Sequence, residues 1–212
     1  MKILVACEES QAVTIELRRL GHEAYSCDIL SCSGGHPEWH LQQDVVPLIK
    51  EKWDMIIAFP PCTYLSNAGA RHLFPKGVLN QERYEKGLKA KEFFLMFLNA
   101  DCPHIAVENP VSSRIYNMPP ASQEIQPYQF GHPYTKKTRL WLRGLPLLKP
   151  TNVVTPTGAW CTRRRKHGYV KGASELLPGD KAINRAKTFP GIAKAMAEQW
   201  AGDIREQDNS AD

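Results

Sequence analysis

A doubly wound α/β sheet is the architecture that the first half of the chain predicts, and three observations carry it. Strand-like runs recur at residues 2–7, 23–28, 53–59 and 104–108. Helical patterns separate them, with short links. Polar residues gather just beyond each run, while most run interiors stay apolar. Repeated strand–helix–strand units imply parallel strands covered on both faces, and such sheets hold ligands beyond the carboxyl ends of their strands.

Each element has its own signal. Residues 2–7 form a short apolar strand. Ser10 can cap a helix whose apolar positions Val13, Ile15, Leu17 and Leu20 precede Gly21 as the stop. Residues 23–28 read as a second strand, and a short third element ends near Asp44. Residues 53–59 are a third clear strand, halted by Pro60 and Pro61. A long helix over 81–100 carries Phe93, Phe94, Met96, Phe97 and Leu98 in its second half. The strand at 104–108 runs into Asn109 and Pro110.

Beyond residue 118 the pattern loosens. Residues 128–131 and 138–142 look like strands flanking a Pro- and Lys-rich loop, and 143–180 are turn-rich and basic. Thr188-Phe189-Pro190-Gly191 introduces a last helix over 192–200, and the residues after Gly202 are polar. No internal repeat is found. The expected organisation is a catalytic and cofactor-binding core at 1–142, a short basic segment at 143–183, a helix returning to the core at 184–202, and a flexible tail at 203–212.

With 212 residues, 42% of them hydrophobic and 23% charged, the chain can bury a core without staples, which excludes collagen, coiled coil, long disorder and a cystine scaffold. Six dispersed cysteines fit reduced thiols. No signal-peptide core and no apolar run of membrane-spanning length occurs, so a cytoplasmic protein without a membrane partner is expected. The net charge of +5 is unevenly laid out. Residues 1–131 hold 12 basic and 15 acidic groups, 132–187 hold 13 and 2, and 188–212 hold 2 and 5. Such concentration suits a polyanion-facing surface, although charge runs are often only solvated faces.

The strand ends carry the chemistry. Asp28 and Asp44 sit where acids hydrogen-bond the adenosine part of a cofactor, or else each simply caps a turn. The first strand lacks Gly-x-Gly-x-x-Gly and leads into Cys7-Glu8-Glu9-Ser10, where two carboxylates repel a pyrophosphate but tolerate a cation such as S-adenosylmethionine. Cys62 lies in a rigid Pro-Pro loop, as a positioned nucleophile requires, though an isolated Cys is often just a small core residue. Glu108 ends the next strand and can donate a proton, bond a base edge or pair with a cation. Cys27, Cys32, His36 and His40 loosely approach zinc-ligand spacing, but Gly34, Gly35 and Pro37 interrupt them and no metal is expected. Arg163, Arg164, Arg165, Lys166 and Lys171, with Trp160 and Tyr169 nearby, offer cations and stacking groups to a phosphate backbone.

Together these residues resemble the cytosine-C5 DNA methyltransferase family, particularly its short phage and prophage members, over nearly the whole chain. Ala58-Phe59-Pro60-Pro61-Cys62 is similar to that family's nucleophile loop, Glu108-Asn109 to its Glu-Asn motif, and Lys137-Thr138-Arg139-Leu140 to its Arg-x-Arg stretch. The resemblance implies a Rossmann-like S-adenosylmethionine-dependent fold with a reduced target-recognition segment at 143–183. It also implies Cys62 as nucleophile toward cytosine C6, Glu108 on the N3/N4 edge, and Arg139 with Lys137 near O2. Cys7, Glu8, Ser10, Asp28, Asp44 and Pro61 would line the cofactor, and cytosine-containing DNA would be the partner. The first loop is not glycine-rich and Lys137 replaces an arginine. Two other readings stay open: a degenerate fold that only binds DNA, and C5 methylation of RNA or free pyrimidine nucleotides.

Overall fold

The computed structural model describes residues 1–165 and 168–202. In chain order the elements are β1 (Lys2–Ala6), α1 (Ala12–Arg19), β2 (Glu23–Asp28), β3 (His40–Gln42), β4 (Met55–Ala58), α2 (Ala70–Leu73), α3 (Gln81–Leu98) and β5 (His104–Pro110). They continue as β6 (Gln123–Ile125), β7 (Tyr134–Thr135), β8 (Thr138–Arg143), β9 (Gly158–Ala159), β10 (Arg163–Arg165), β11 (Gly168–Val170), α4 (Lys181–Ala186) and α5 (Pro190–Trp200).

The main sheet has seven strands in the order β3-β2-β1-β4-β5-β8-β6. Its first five strands are parallel, and β8 runs antiparallel between β5 and β6. Side chains alternate across it as strand geometry requires. Ile3, Val5, Met55, Ile57 and Ala106 face α1 and α5, while Leu4, Ala6, Ile56, Ala58, Ile105 and Val107 face α3. Both faces are buried, so the strands read as continuous apolar runs. This is the open, Rossmann-like α/β sheet expected from the sequence, with β8 inserted antiparallel. Among the described residues no helix is long and apolar enough to cross a membrane.

Two expectations are corrected, and one strand is new. The helix start assigned to Ser10 is made by Glu8: its Oε1 accepts the Val13 N–H at 2.7 Å, and its Oε2 accepts the Thr14 hydroxyl at 2.7 Å and the Thr14 N–H at 3.3 Å. The strand expected at 128–131 is a 3-10 turn over Pro127–Gln129, because Pro127 has no N–H for a ladder and Gln129 turns back to accept the Gln126 N–H. The new strand is β6, a three-residue edge strand that among the described residues pairs with β8 alone. Its Gln-Glu-Ile sequence is too short and polar to show a period.

The basic segment is rooted in the core rather than set apart from it. β9 pairs with β7. Trp160 packs on the α5-side core, and its carbonyl accepts both the N–H and the hydroxyl of buried Ser174. Beyond that root, β10 and β11 form a separate two-stranded ribbon.

Candidate active site

Four strands deliver their ends to one edge of the sheet, and the loops there are pinned by specific bonds. The Phe59 N–H extends the β4–β1 ladder to the Ala6 carbonyl, and the chain then enters Pro60, Pro61 and Cys62. The Cys62 carbonyl accepts the N–H groups of Leu65 and Ser66, closing a tight turn behind the thiol. Asn109, wholly buried, donates its amide to the Pro60 carbonyl at 2.9 Å. Ser113 N–H to Leu65 carbonyl and Asn67 N–H to Val111 carbonyl complete the seam. The loop after β4 is therefore sewn to the loop after β5, and Cys62 is fixed relative to Glu108.

Cys62 is half-buried. Burial pushes its thiol up, the Glu108 charge pushes the same way, and the Lys136 ammonium pulls it down. Burial likewise raises the Glu108 carboxyl, while Lys136 and a hydrogen bond from Thr138 oppose the rise. At the thiol, burial and the Glu108 charge outweigh Lys136, so Cys62 holds its proton more tightly than a free thiol, and the Glu108 carboxyl likewise holds its own more tightly than a free carboxyl. Aromatic rings stand next to Lys136: its Nζ lies 5.9 Å from the Phe189 ring centroid, and Phe189 packs edge-on to Trp160 at 4.8 Å. Tyr134 and His132 complete this group. The buried Trp160 indole N–H has no hydrogen-bond partner among the described residues.

Lys137 and Arg139, expected at this site, are elsewhere. Both turn to Glu124 of β6, at 3.1 and 3.6 Å. The reason is strand alternation. Arg139 stands opposite Asn109 in the β5–β8 ladder and shares its face, whereas Glu108 stands opposite Leu140 on the other face. The cation that reaches Cys62 and Glu108 is Lys136, which the sequence reading missed. A period-two count back from Thr138, the residue bonded to Glu108, would have found it.

At the other end of the edge, Cys7, Asp28 and Asp44 come together. Burial raises the Cys7 thiol, and the charges of Asp28, Cys27 and Asp44 raise it further. Both acids also make the local turns that were their alternative reading: Asp28 accepts the Leu30 N–H and Asp44 the Val46 N–H, each at 2.9 Å. Ile29 beside them is 74% exposed, so carboxylates and an apolar surface lie side by side. Glu8 is not on that surface. It is buried with its oxygens committed to α1. Cys7 and Gln11 adopt the left-handed backbone conformation that glycine usually supplies in such a turn. Gln11, also missed, is fully buried and clamps both the N–H and the carbonyl of His36, bringing the loop after β2 onto the loop after β1. Gly34 is required there, since a Cβ would lie 2.6 Å from the Gln11 Cβ. Ser10 is half-buried, and Pro61 is exposed at the mouth.

These features fit a cationic, phosphate-free cofactor. The helix N-terminus that would hold a pyrophosphate is filled by a carboxylate of the chain itself, and the remaining acids favour positive charge. His36 stacks on Trp39 and lies 3.2 Å from Glu38, while His40 bonds Ser26 and the Leu30 carbonyl, so neither is arranged with Cys27 and Cys32 as a ligand set. Among the predicted nucleic-acid contacts, Arg163, Arg164 and Arg165 form β10, Lys171 is exposed just after β11, and Lys166 lies outside the described residues.

No protein-family model matches the chain, and no curated protein does. Solved structures similar to it include a prophage-encoded Escherichia coli protein assigned as a DNA modification methyltransferase, at 14% identity over 72% of this chain and 51% of that one, with TM-score 0.45. An Escherichia coli rRNA methylase matches at 15% identity over 67% and 57%, with TM-score 0.36. A Spodoptera frugiperda DNMT2 mutant matches at 13% identity over 84% and 60%, with TM-score 0.36. The chain thus spans between about half and three-fifths of the length of these structures.

Proposed function

We propose that the chain is a DNA cytosine-C5 methyltransferase that works through a covalent Cys62 adduct. The observation that carries this reading is the fixed pairing of Cys62 with Glu108 across two sewn loops, with a cation beside both. Unactivated cytosine C5 is a poor nucleophile, so a thiolate must first add to C6. Cys62 forms that bond as the ring π electrons move toward C5 and N3. Glu108, whose carboxyl burial pushes up, would hydrogen-bond N3 through its proton, draw charge away from the ring, and retain that proton when the adduct collapses. S-adenosylmethionine, when bound, supplies the electrophilic methyl group that C5 takes. The C5 proton then leaves to solvent, the S–C6 bond breaks, and Cys62 recovers its thiolate.

Asp28 and Asp44 would hold the adenosine end of the cofactor, with Ile29 under its base. The aromatic group of Trp160, Phe189 and Tyr134 would wall the pocket for an extruded base, whose unstacking costs a few kcal/mol. The basic β10–β11 ribbon would grip the phosphate backbone.

The test offers labelled S-adenosylmethionine with duplex DNA, single-stranded DNA, RNA and dCMP to the wild-type chain and to Cys62→Ala. Label on C5 of cytosine in DNA, absent with Cys62→Ala, is the expected result. Transfer to RNA or dCMP alone would move the substrate class. Salt-sensitive DNA binding with no transfer to any acceptor would leave only a binding module.

A further inference from the structure

The turn that carries Cys62 is held on both flanks, and α3 supplies the second hold. Before the thiol, Asn109 donates its amide to the Pro60 carbonyl at 2.9 Å. After it, Arg83 donates Nη2 to the Thr63 carbonyl at 2.9 Å. The Arg83 guanidinium also lies 5.0 Å from the centroid of the Tyr64 ring, one residue further along the same turn. Arg83 is itself anchored, because its N–H donates to Asn80 Oδ1 at 3.0 Å in the first turn of α3. Gly69 leaves the room that the guanidinium fills: a Cβ there would lie 2.9 Å from Arg83 Nη2 and 3.2 Å from the Thr63 carbonyl oxygen. Arg83 is half-buried, and no carboxylate pairs with it among the described residues, so the carbonyl and the ring are its partners.

We propose that Arg83 is a positioning residue for the Cys62 sulfur, clamping the chain just past it as Asn109 clamps the chain just before. The proposal rests on Cys62 being the nucleophile. Addition to a ring carbon needs the sulfur at attack distance in one orientation, and a misplacement of about 1 Å can cost about a hundredfold in rate. Pro60 and Pro61 stiffen the entry to the turn, but Thr63 and Tyr64 have no such restraint of their own. Arg83 restrains that exit from outside.

The experiment is the pH–rate profile of Cys62 alkylation by iodoacetamide from pH 7 to 9, followed by peptide mass, with Cys62→Ser as blank. Arg83→Ala should speed alkylation about fivefold at each pH, since losing one hydrogen bond lets the turn open and uncovers a half-buried thiol. Losing a nearby cation acts the other way, by making a thiol harder to ionise, so the direction separates a clamp from a charge. Gly69→Ala pushes the guanidinium aside without altering Arg83, and serves if Arg83→Ala does not fold. It should give the same increase, and the double variant should go no further than either alone. Arg83→Lys keeps a donor and should recover most of the wild-type rate. Lys86→Gln, which removes an exposed cation one turn along α3, should match the wild type. In methyl transfer, Arg83→Ala should lower kcat about tenfold and leave KM for DNA unchanged. Unchanged or slower alkylation in the folded variants overturns the proposal, as do additive effects in the double variant or a transfer defect confined to KM. Alkylation needs neither cofactor nor nucleic acid. A chain that shows the Arg83 effect on its thiol yet transfers no methyl group would sink the enzyme reading alone.

Discussion

Gly191 is a position that no other residue can occupy. A Cβ there would overlap the Phe130 carbonyl, and its N–H donates to His132 Nε2 at 3.0 Å. Gly191→Ala should therefore cost about 1–3 kcal/mol or more, a fall of several degrees in Tm. Thermal unfolding against the wild type measures it. His132 must be neutral to accept that bond, and burial lowers its pKa. The folded state thus binds a proton less readily than the unfolded chain. This contribution is present above the ordinary imidazole pKa and is lost as pH falls below it. The glycine was visible as part of Phe-Pro-Gly at a helix start, but the imidazole it needs lies 59 residues away. Lys136 was hidden differently: the motif frame of Lys137 and Arg139 drew the eye one residue off, and only the β5–β8 register shows which face each side chain takes.

At the scale of elements, α1 is the informative case. Its first turn was read as a serine cap, whereas the cap is a carboxylate reaching from the end of β1. Burial raises the Glu8 carboxyl from 4.5 to about 7, against the pull of its donors Val13 and Thr14. The folded state therefore holds this proton more tightly than the unfolded chain does. Stability is greatest below the ordinary carboxylate pKa and falls as pH rises through about 7. Melts from pH 5 to 8 should show this decline, flattened in Glu8→Gln. Glu8→Ala should lose about 1 kcal/mol of cap at every pH, and a variant as stable as wild type would deny the cap. No local pattern predicts this contact, because Gln11 must turn left-handed to bring the helix onto Glu8. By contrast α3, with Asn80 accepting the Arg83 N–H, begins where local residues said it would.

For the whole molecule, the parallel half was readable because each strand is buried on both sides and advertises itself as an apolar run. The antiparallel closure was not, since β6 and β9 are held by partners far along the chain. The same division separates the charges. The sheet carries the site, and the segment 132–187, with 13 basic and 2 acidic residues, is rooted on it. Replacing 162–171, the β10–β11 ribbon, by a short glycine link should leave the Cys62 alkylation profile intact. If the ribbon grips nucleic acid as proposed, its loss should also cut DNA affinity at least tenfold and flatten the salt dependence of binding. Filter binding across a salt series measures both, and unchanged affinity would remove the ribbon from the interface. The stoppered end of α1 has a further consequence, for competition inside a cell. Adenosine is common to ATP, to nicotinamide dinucleotides and to sulfonium methyl donors, so an adenosine subsite alone cannot tell abundant fuel from scarce donor. The Glu8 carboxyl, standing where a phosphate would dock, makes that distinction by already holding the N–H groups a phosphate needs. If this edge holds adenosine as proposed, a sulfonium methyl donor should bind there and excess ATP should not displace it.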